Sequence, residues 1–355
     1  MSKKRVYLLI ILAILLLCIV STFTHFFTSH TRKVDDYPVL ELKGSRMIQL
    51  QLGEEYKEKG YVAHDDHDGS LTKKVKVKNN IDNQTPGTYE ITYKVTNSLG
   101  NTIEAKRFVN IKLSTKAEYK AEYDQVDNTI HGWGTNNKRD GKRPTIDISN
   151  EELKKYGAYA MGADEKVLYL TFDEGNNETY LEEIVKILDQ NDVQATFFLC
   201  RHYIESHPEL MRHLVEKGHS VGNHTSTHPS MPSLATKAHF EKYLNELIVT
   251  EEAFEKTTGK PMDHIYREPK GEYSLRSLSI VKDLGYKTYF WSAAYQDWDD
   301  KLTKEEALES MMERVHNGAI YLLHPTSKGN YLAMDDFIKT MKKEGYTFDL
   351  VKNID

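Results

Sequence analysis

Two histidines four residues apart, in His224-Thr225-Ser226-Thr227-His228, are the first residues of this chain whose types and spacing could do chemistry. Imidazoles at that separation can share one divalent ion and leave positions open for water and substrate. Two other stretches suit the same chemistry. The carboxylates of Asp173 and Glu174 close the apolar run Val167-Leu168-Tyr169-Leu170-Thr171-Phe172, and His324 closes Tyr321-Leu322-Leu323. A bound divalent ion lowers the pKa of its water from about 15.7 to about 7, a gain of ~12 kcal/mol. A carboxylate that takes a proton and an imidazole that returns one would complete a metal-assisted hydrolase. Each piece alone has an ordinary explanation. With 15 histidines in the chain, a lone His-x-x-x-His pair is a weak signal. The weight rests on where the pieces sit.

From Val167 onward the pattern alternates strand and helix. Strands are expected at 167–172, 194–199, 219–222, 262–266, 287–292, 319–323 and 348–351. Helices are expected near 179–191, 208–217, 236–257, 274–284, 304–316 and 331–344. Such alternation predicts a parallel α/β barrel or a doubly wound sheet. Asp173 and Glu174 end the first strand, and His224 and His228 follow the third. Arg267 ends the fourth, Asp297-Trp298 follow the fifth, and His324 ends the sixth. The C-terminal ends of barrel strands share one mouth, so these residues are expected to converge there.

The rest of the chain sets the context. Lys3, Lys4 and Arg5 precede an apolar segment, 6–27, long enough for the ~30 Å hydrocarbon core. The basic flank keeps residues 1–5 in the cytoplasm while the rest crosses. No Ala-x-Ala-like site follows, and Leu15-Leu16-Leu17-Cys18 lacks the small residue of a lipoprotein site. The expectation is an uncleaved single-pass anchor in the cell membrane, with the remainder on the cell-wall side.

Residues 37–113 carry period-two runs such as Met47-Ile48-Gln49-Leu50-Gln51-Leu52 between turn signals, which suggests a small antiparallel sandwich. Within it, His64-Asp65-Asp66-His67-Asp68 reads as a solvated loop rather than a metal site. Residues 114–160 read as a polar linker and N-terminal extension, and 161–355 as the main domain. Cys18 and Cys200 are too far apart in character to pair, so no disulfide is expected. A net charge of −6 with no basic stripe argues against nucleic acid as a partner.

At its chemical residues the sequence resembles the polysaccharide deacetylases with a NodB-homology domain, carbohydrate esterase family 4. Thr171-Phe172-Asp173-Glu174-Gly175, His224-Thr225-Ser226-Thr227-His228, Arg267-Glu268-Pro269-Lys270-Gly271, Asp297-Trp298 and Tyr321-Leu322-Leu323-His324 match its five motifs in order. Gly132-Trp133-Gly134, Phe290-Trp291-Ser292 and Gly345-Tyr346-Thr347-Phe348 resemble the delta-lactam-biosynthetic subgroup, which deacetylates N-acetylmuramic acid in peptidoglycan. Residues 37–113 resemble a bacterial immunoglobulin-like module.

The resemblance implies a distorted parallel (β/α)7 barrel acting on a peptidoglycan glycan strand. It implies Asp173 as the base, His324 as the acid, Arg267 orienting Asp173 and Asp297 tuning His324. His224, His228 and Glu174 would hold a divalent metal, zinc first, with cobalt, manganese or magnesium as alternatives. Trp298, Lys270, Gly271 and Leu322 would line the substrate site, and a backbone N–H would help hold the oxyanion. The sequence departs from the family where Glu174 replaces its usual aspartate and where Glu268 and Lys270 stand in the third motif. N-acetylglucosamine is the alternative sugar, and an inactive wall-binding scaffold the rival of another class. A glycosidase pair made from Asp173 and Glu174 is disfavoured, because neighbours on a strand face opposite ways.

Overall fold

The computed structural model describes residues 37–136, 140–146, 148–174, 180–299 and 301–354. The expected anchor at 6–27 lies outside the described residues. Among those described, no helix is long and apolar enough to cross a membrane.

The N-terminal module is built from two sheets. Val39–Leu42, Tyr61–Asp65 and Gly69–Ser70 form a three-stranded antiparallel sheet. Met47–Leu50, Thr102–Ile111, Gly87–Thr96 and Lys76–Asn79 form a four-stranded one. The expectation of purely antiparallel pairing is corrected at one place, since Met47–Leu50 runs parallel to Thr102–Ile111. The acidic loop is largely solvated as expected, with His64, Asp66 and His67 exposed, and Asp65 locks its turn from beneath. Asp65 is buried, accepts the N–H groups of His67 and Asp68 on Oδ1, and takes the Asn97 amide on Oδ2.

The main domain is a parallel half-barrel. Its strands are β1 (Ala158–Tyr159), β2 (Val167–Glu174), β3 (Thr196–Leu199), β4 (Ser220–Asn223), β5 (Ile265–Tyr266), β6 (Lys287–Tyr289), β7 (Ala319–Leu323) and β8 (Thr347–Phe348). The order across the sheet is β1-β6-β5-β4-β3-β2-β7, with β8 beside the start of β2. The expected distorted (β/α)7-type barrel is a parallel half-barrel whose strand path stays open. Among the described residues, isolated bridges, Ala293 with Tyr321 and Met161 with Ala319, span the seam. The seven expected strands are all present. The eighth, β1, comes from the segment expected to be linker, and its two residues are too short for a periodicity to show.

Covered on both faces, β2 reads as a continuous apolar run because neither face meets water. Its alternation still matters. Leu168, Leu170 and Phe172 join the core under the helices, whereas Tyr169 joins the core inside the sheet's curve. Thr171 and Asp173 share the inner register with Tyr169.

The helices follow their patterns. In α1 (Leu181–Gln190), Leu181, Ile184, Val185 and Leu188 form the buried stripe, each contributing about 1.5–3 kcal/mol on burial. The long α2 (Phe240–Thr258) ends at Gly259 in the left-handed conformation, with φ 68°. Capping boxes start α3 (Leu275–Asp283) at Ser274 and α4 (Lys304–Met312) at Thr303. Ser327 caps α5 (Lys328–Lys343).

The extension before β1 takes part in the domain. His131–Gly132 pairs antiparallel with Glu272–Tyr273, and the Trp133 N–H donates to the Gly271 carbonyl at 2.7 Å. The Trp133 ring stacks on Phe290 with centroids 4.2 Å apart, and its indole N–H donates to the Trp291 carbonyl.

Candidate active site

Asp173 stands at the C-terminal end of β2 and is 8% exposed. Arg267, just past β5 and fully buried, donates from Nη1 to Asp173 Oδ1 at 2.6 Å and to Thr171 Oγ1 at 2.7 Å. Its Nε and Nη2 donate to the carbonyls of Tyr289 and Phe290, and the guanidinium lies 4.3 Å from the Phe198 ring centroid. Every side of this planar fork is engaged, so the cation has one place to be. Removing either partner of such a buried pair costs about 3–5 kcal/mol.

The histidine pentad leaves the end of β4 in a strained turn. Thr225 and His228 both have positive φ, 70° and 56°, a conformation that costs a side-chain-bearing residue about 1–2 kcal/mol. The offsetting bonds come from the turn itself and from α2. Thr225 N–H donates to Asn223 Oδ1, and His228 N–H to Thr225 Oγ1. Glu246 of α2 accepts the Ser226 and Thr227 N–H groups on Oε2, at 3.0 and 2.8 Å, and the Thr227 hydroxyl on Oε1.

The two rings stand 4.8 Å apart at 65°. His224 Nδ1 lies 2.9 Å from the Arg267 carbonyl, which can only accept, so Nδ1 carries the proton. Nε2 is then a lone pair, 3.8 Å from Asp173 Oδ2. Burial, partly opposed by Asp173, holds His224 below the usual imidazole range. Burial and then the neighbouring His224 push His228 down to about 4. Both rings are neutral at pH 7. Two neutral imidazoles, one with its tautomer fixed by a carbonyl, are the donor chemistry of a divalent ion.

Glu174 does not join them. The alternation of β2 sets it in the register of Leu168, Leu170 and Phe172, away from Asp173. Its carboxylate is fully buried, with no hydrogen-bond partner on either oxygen among the described residues. No group of three or more His, Cys, Asp or Glu side chains able to hold a metal forms among the described residues. Among the described residues His224 and His228 come together and Glu174 is not grouped with them.

On the other side, His324 follows β7 and meets Asp297 from the loop after β6. His324 Nδ1 is 2.9 Å from Asp297 Oδ1, and the His324 N–H donates to Oδ2 at 2.5 Å. Burial works against the imidazolium, but the bond and charge of Asp297 outweigh it and raise His324 above its ordinary value. The charge of Asp173 raises it further, which places the two halves within electrostatic reach. Trp298, 55% exposed, meets the His324 ring edge-on at 5.7 Å, and Leu322 of β7 is buried.

The third motif divides. Lys270 (φ 60°) is exposed, and its charge bears on His228. Gly271 (φ 64°) packs so close that a Cβ there would lie 2.7 Å from the Trp291 ring. Glu268, expected near the mouth, instead points into the fold. It accepts the Tyr266 hydroxyl and the Ser277 hydroxyl, both at 2.7 Å, and burial raises its pKa to about 7.

Residues 160–289 match the polysaccharide deacetylase family and residues 40–111 the bacterial surface protein Ig-like domain. The chain is 37% identical to the peptidoglycan-N-acetylmuramic acid deacetylase PdaA of Bacillus subtilis, over 66% of this chain and 89% of that one. The chain belongs to the polysaccharide deacetylase family. As a deacetylase of carbohydrate esterase family 4, it is an enzyme that hydrolyses N-acetyl amide bonds. The structure of PdaA matches with a TM-score of 0.60 at 35% identity, over 64% of this chain and 98% of that one. A family 4 carbohydrate esterase from Bacillus anthracis matches with a TM-score of 0.52 at 30% identity, over 64% and 97%. A peptidoglycan-N-acetylglucosamine deacetylase of Bacillus cereus is 28% identical over 56% of this chain and 92% of its own.

Within this deacetylase, sequence reasoning named Asp173, Arg267, His224, His228, Asp297 and His324, and the fold gathers all six at one end of the sheet. It missed Glu246 and Asn330. The signal was present, since each is a polar residue inside the apolar stripe of its helix, Tyr243-Glu246-Leu247-Thr250-Phe254 and Asn330-Ala333-Met334-Phe337-Met341.

Proposed function

We propose that this enzyme removes the N-acetyl group from N-acetylmuramic acid in peptidoglycan glycan strands. In this reading it uses a divalent ion, zinc first, and residues 6–27 anchor it to the cell membrane with the N-terminus in the cytoplasm. The identity to PdaA over most of that protein supports the substrate. The carrying observation is the pairing of Asp173 with Arg267 on one side and of His324 with Asp297 on the other, with two neutral imidazoles on the Asp173 side.

When bound by His224 and His228, a divalent ion supplies Lewis acidity that brings water's pKa toward neutrality. Asp173, oriented by Arg267, accepts the proton of the attacking water. The water oxygen bonds to the acetamide carbon, the C–N bond breaks, and His324 gives its Nε2 proton to the departing amine. Acetate and a free amino sugar result. Asp297 keeps His324 charged for that step. Trp298 and Leu322 wall the acetyl-bearing sugar, Gly271 lets the chain approach closely, and the Lys270 ammonium suits the carboxylate by which muramic acid differs from glucosamine. The immunoglobulin-like module serves as a spacer between membrane and enzyme.

The test incubates the full-length protein with glycan strands, with and without peptide stems, zinc-loaded or chelated. Mass spectrometry then reads the products. Loss of acetyl from muramic acid, abolished by chelation, is the expected result. Loss from glucosamine alone would overturn the choice of sugar, and turnover that survives chelation would overturn the metal.

A further inference from the structure

Asn330 is fully buried at the first turn of α5, three residues after the cap Ser327, and its amide stands behind the His324–Asp297 pair. Nδ2 donates to the His324 carbonyl at 2.9 Å and to Asp297 Oδ2 at 3.1 Å. Oδ1 accepts the Tyr295 hydroxyl. A carbonyl and a carboxylate only accept, so the amide has one workable orientation, and Tyr295 is placed to hold it there. Asp297 has no exposed surface and, among the described residues, accepts three side-chain bonds, two from His324 itself. The third is Asn330's, and it comes from outside the His324 segment.

We propose that Asn330 is a positioning residue for the proton donor: it fixes the His324 peptide and the Asp297 carboxylate together, so that the imidazole keeps both its charge and its aim. This rests on His324 acting as the acid. An ionised carboxylate buried from water needs each of its donors, and losing one weakens the anion that holds the proton on His324. The other charged or titratable groups that bear on His324 are Asp173 of β2, Arg267 after β5, and His224 and His228 after β4.

The experiment compares wild type, Asn330→Ala and Tyr295→Phe in one metal state, following the His324 ring by NMR titration alongside steady-state kinetics. Asn330→Ala is expected to lower the His324 pKa by about one unit, a tenfold change in proton affinity. It should also lower kcat about 10–100-fold with KM little changed. Tyr295→Phe should move both in the same direction by less, and serves as the readout if Asn330→Ala does not fold. An unchanged His324 titration in a folded variant overturns the proposal whatever the activity does. The NMR arm needs no turnover, so this failure is distinct from a failure of the proposed reaction.

Discussion

Asp173 and Asp297 each face a cation across a short hydrogen bond, yet the cations differ in kind. Arg267 never gives up its proton in a protein, whereas His324 changes charge near neutrality. Where the proposed reaction gives the carboxylate the chemistry, its partner is a permanent charge locked by four acceptors and an aromatic ring. Where the imidazole does the chemistry, the carboxylate is the one hidden from solvent and held from several sides. In both halves the working group sits at the mouth and the supporting group is sealed behind it. The difference teaches which partner sets pH dependence: only the second half can lose its cation within the working range.

That asymmetry can be broken most sharply by removing the two carboxylates in turn. Asp173→Asn and Asp297→Asn are each expected to lower kcat about 10²–10⁴-fold, measured as acetate release. Asp297→Asn should move the alkaline limb of kcat/KM further, since Asp297 gives His324 a hydrogen bond and a charge whereas Asp173 gives a charge alone. His324 must be protonated to donate, and its raised pKa carries activity upward in pH. Without Asp297, burial is opposed mainly by the charge of Asp173, and the limb moves to lower pH. Equal shifts in both variants would refute the division of roles.

Glu268 supplies the contrast of a buried carboxyl held by two hydroxyl groups. Its folded pKa of about 7 exceeds its unfolded value of 4.5, so its favourable contribution is full below about pH 4.5 and is lost as pH rises to about 7. Glu268→Gln should remove a pH-dependent change of about 3 kcal/mol over that window, read by denaturant melts. Next in size, Glu246→Gln should loosen the histidine turn and weaken zinc binding about 10–100-fold by calorimetry, with the fold checked by circular dichroism. Smallest, Lys270→Met should raise KM for muramic-acid strands a few-fold and leave kcat nearly alone, since an exposed charge contributes little. A large fall in kcat there would move Lys270 into the chemistry.

Much of this was legible in the sequence because two periodicities did the work. The runs from Val167 and Ala319 are too apolar to be anything but strands covered on both faces, and a strand's C-terminal end announces where its next polar residue must stand. Asp173, Arg267 and His324 could therefore be placed before any coordinates. The remainder resisted for physical reasons. The resemblance puts Glu174 at the family's metal-binding position, whereas the pleat of β2 sends adjacent side chains apart. Glu268 sits in a motif whose other members line the mouth, and only the path of the turn reveals that its carboxyl faces Tyr266 and Ser277. Glu246 and Asn330 act through partners on other elements, about 20 and 33 positions away in the chain, and no local pattern encodes such pairings.

The strap formed by Trp133 carries a consequence for how the chain reaches its native state. Its contacts join positions 158 residues apart in sequence, to the carbonyl of Trp291. Contacts of that separation form late and slow the approach to the native state. The loop carrying Lys270 and Gly271 is therefore expected to order late, once the upstream segment has folded back on it. A fragment starting at residue 160, where the family match begins, would keep every motif and lose this closing step. Such a fragment is expected to bind glycan with a slackened third motif.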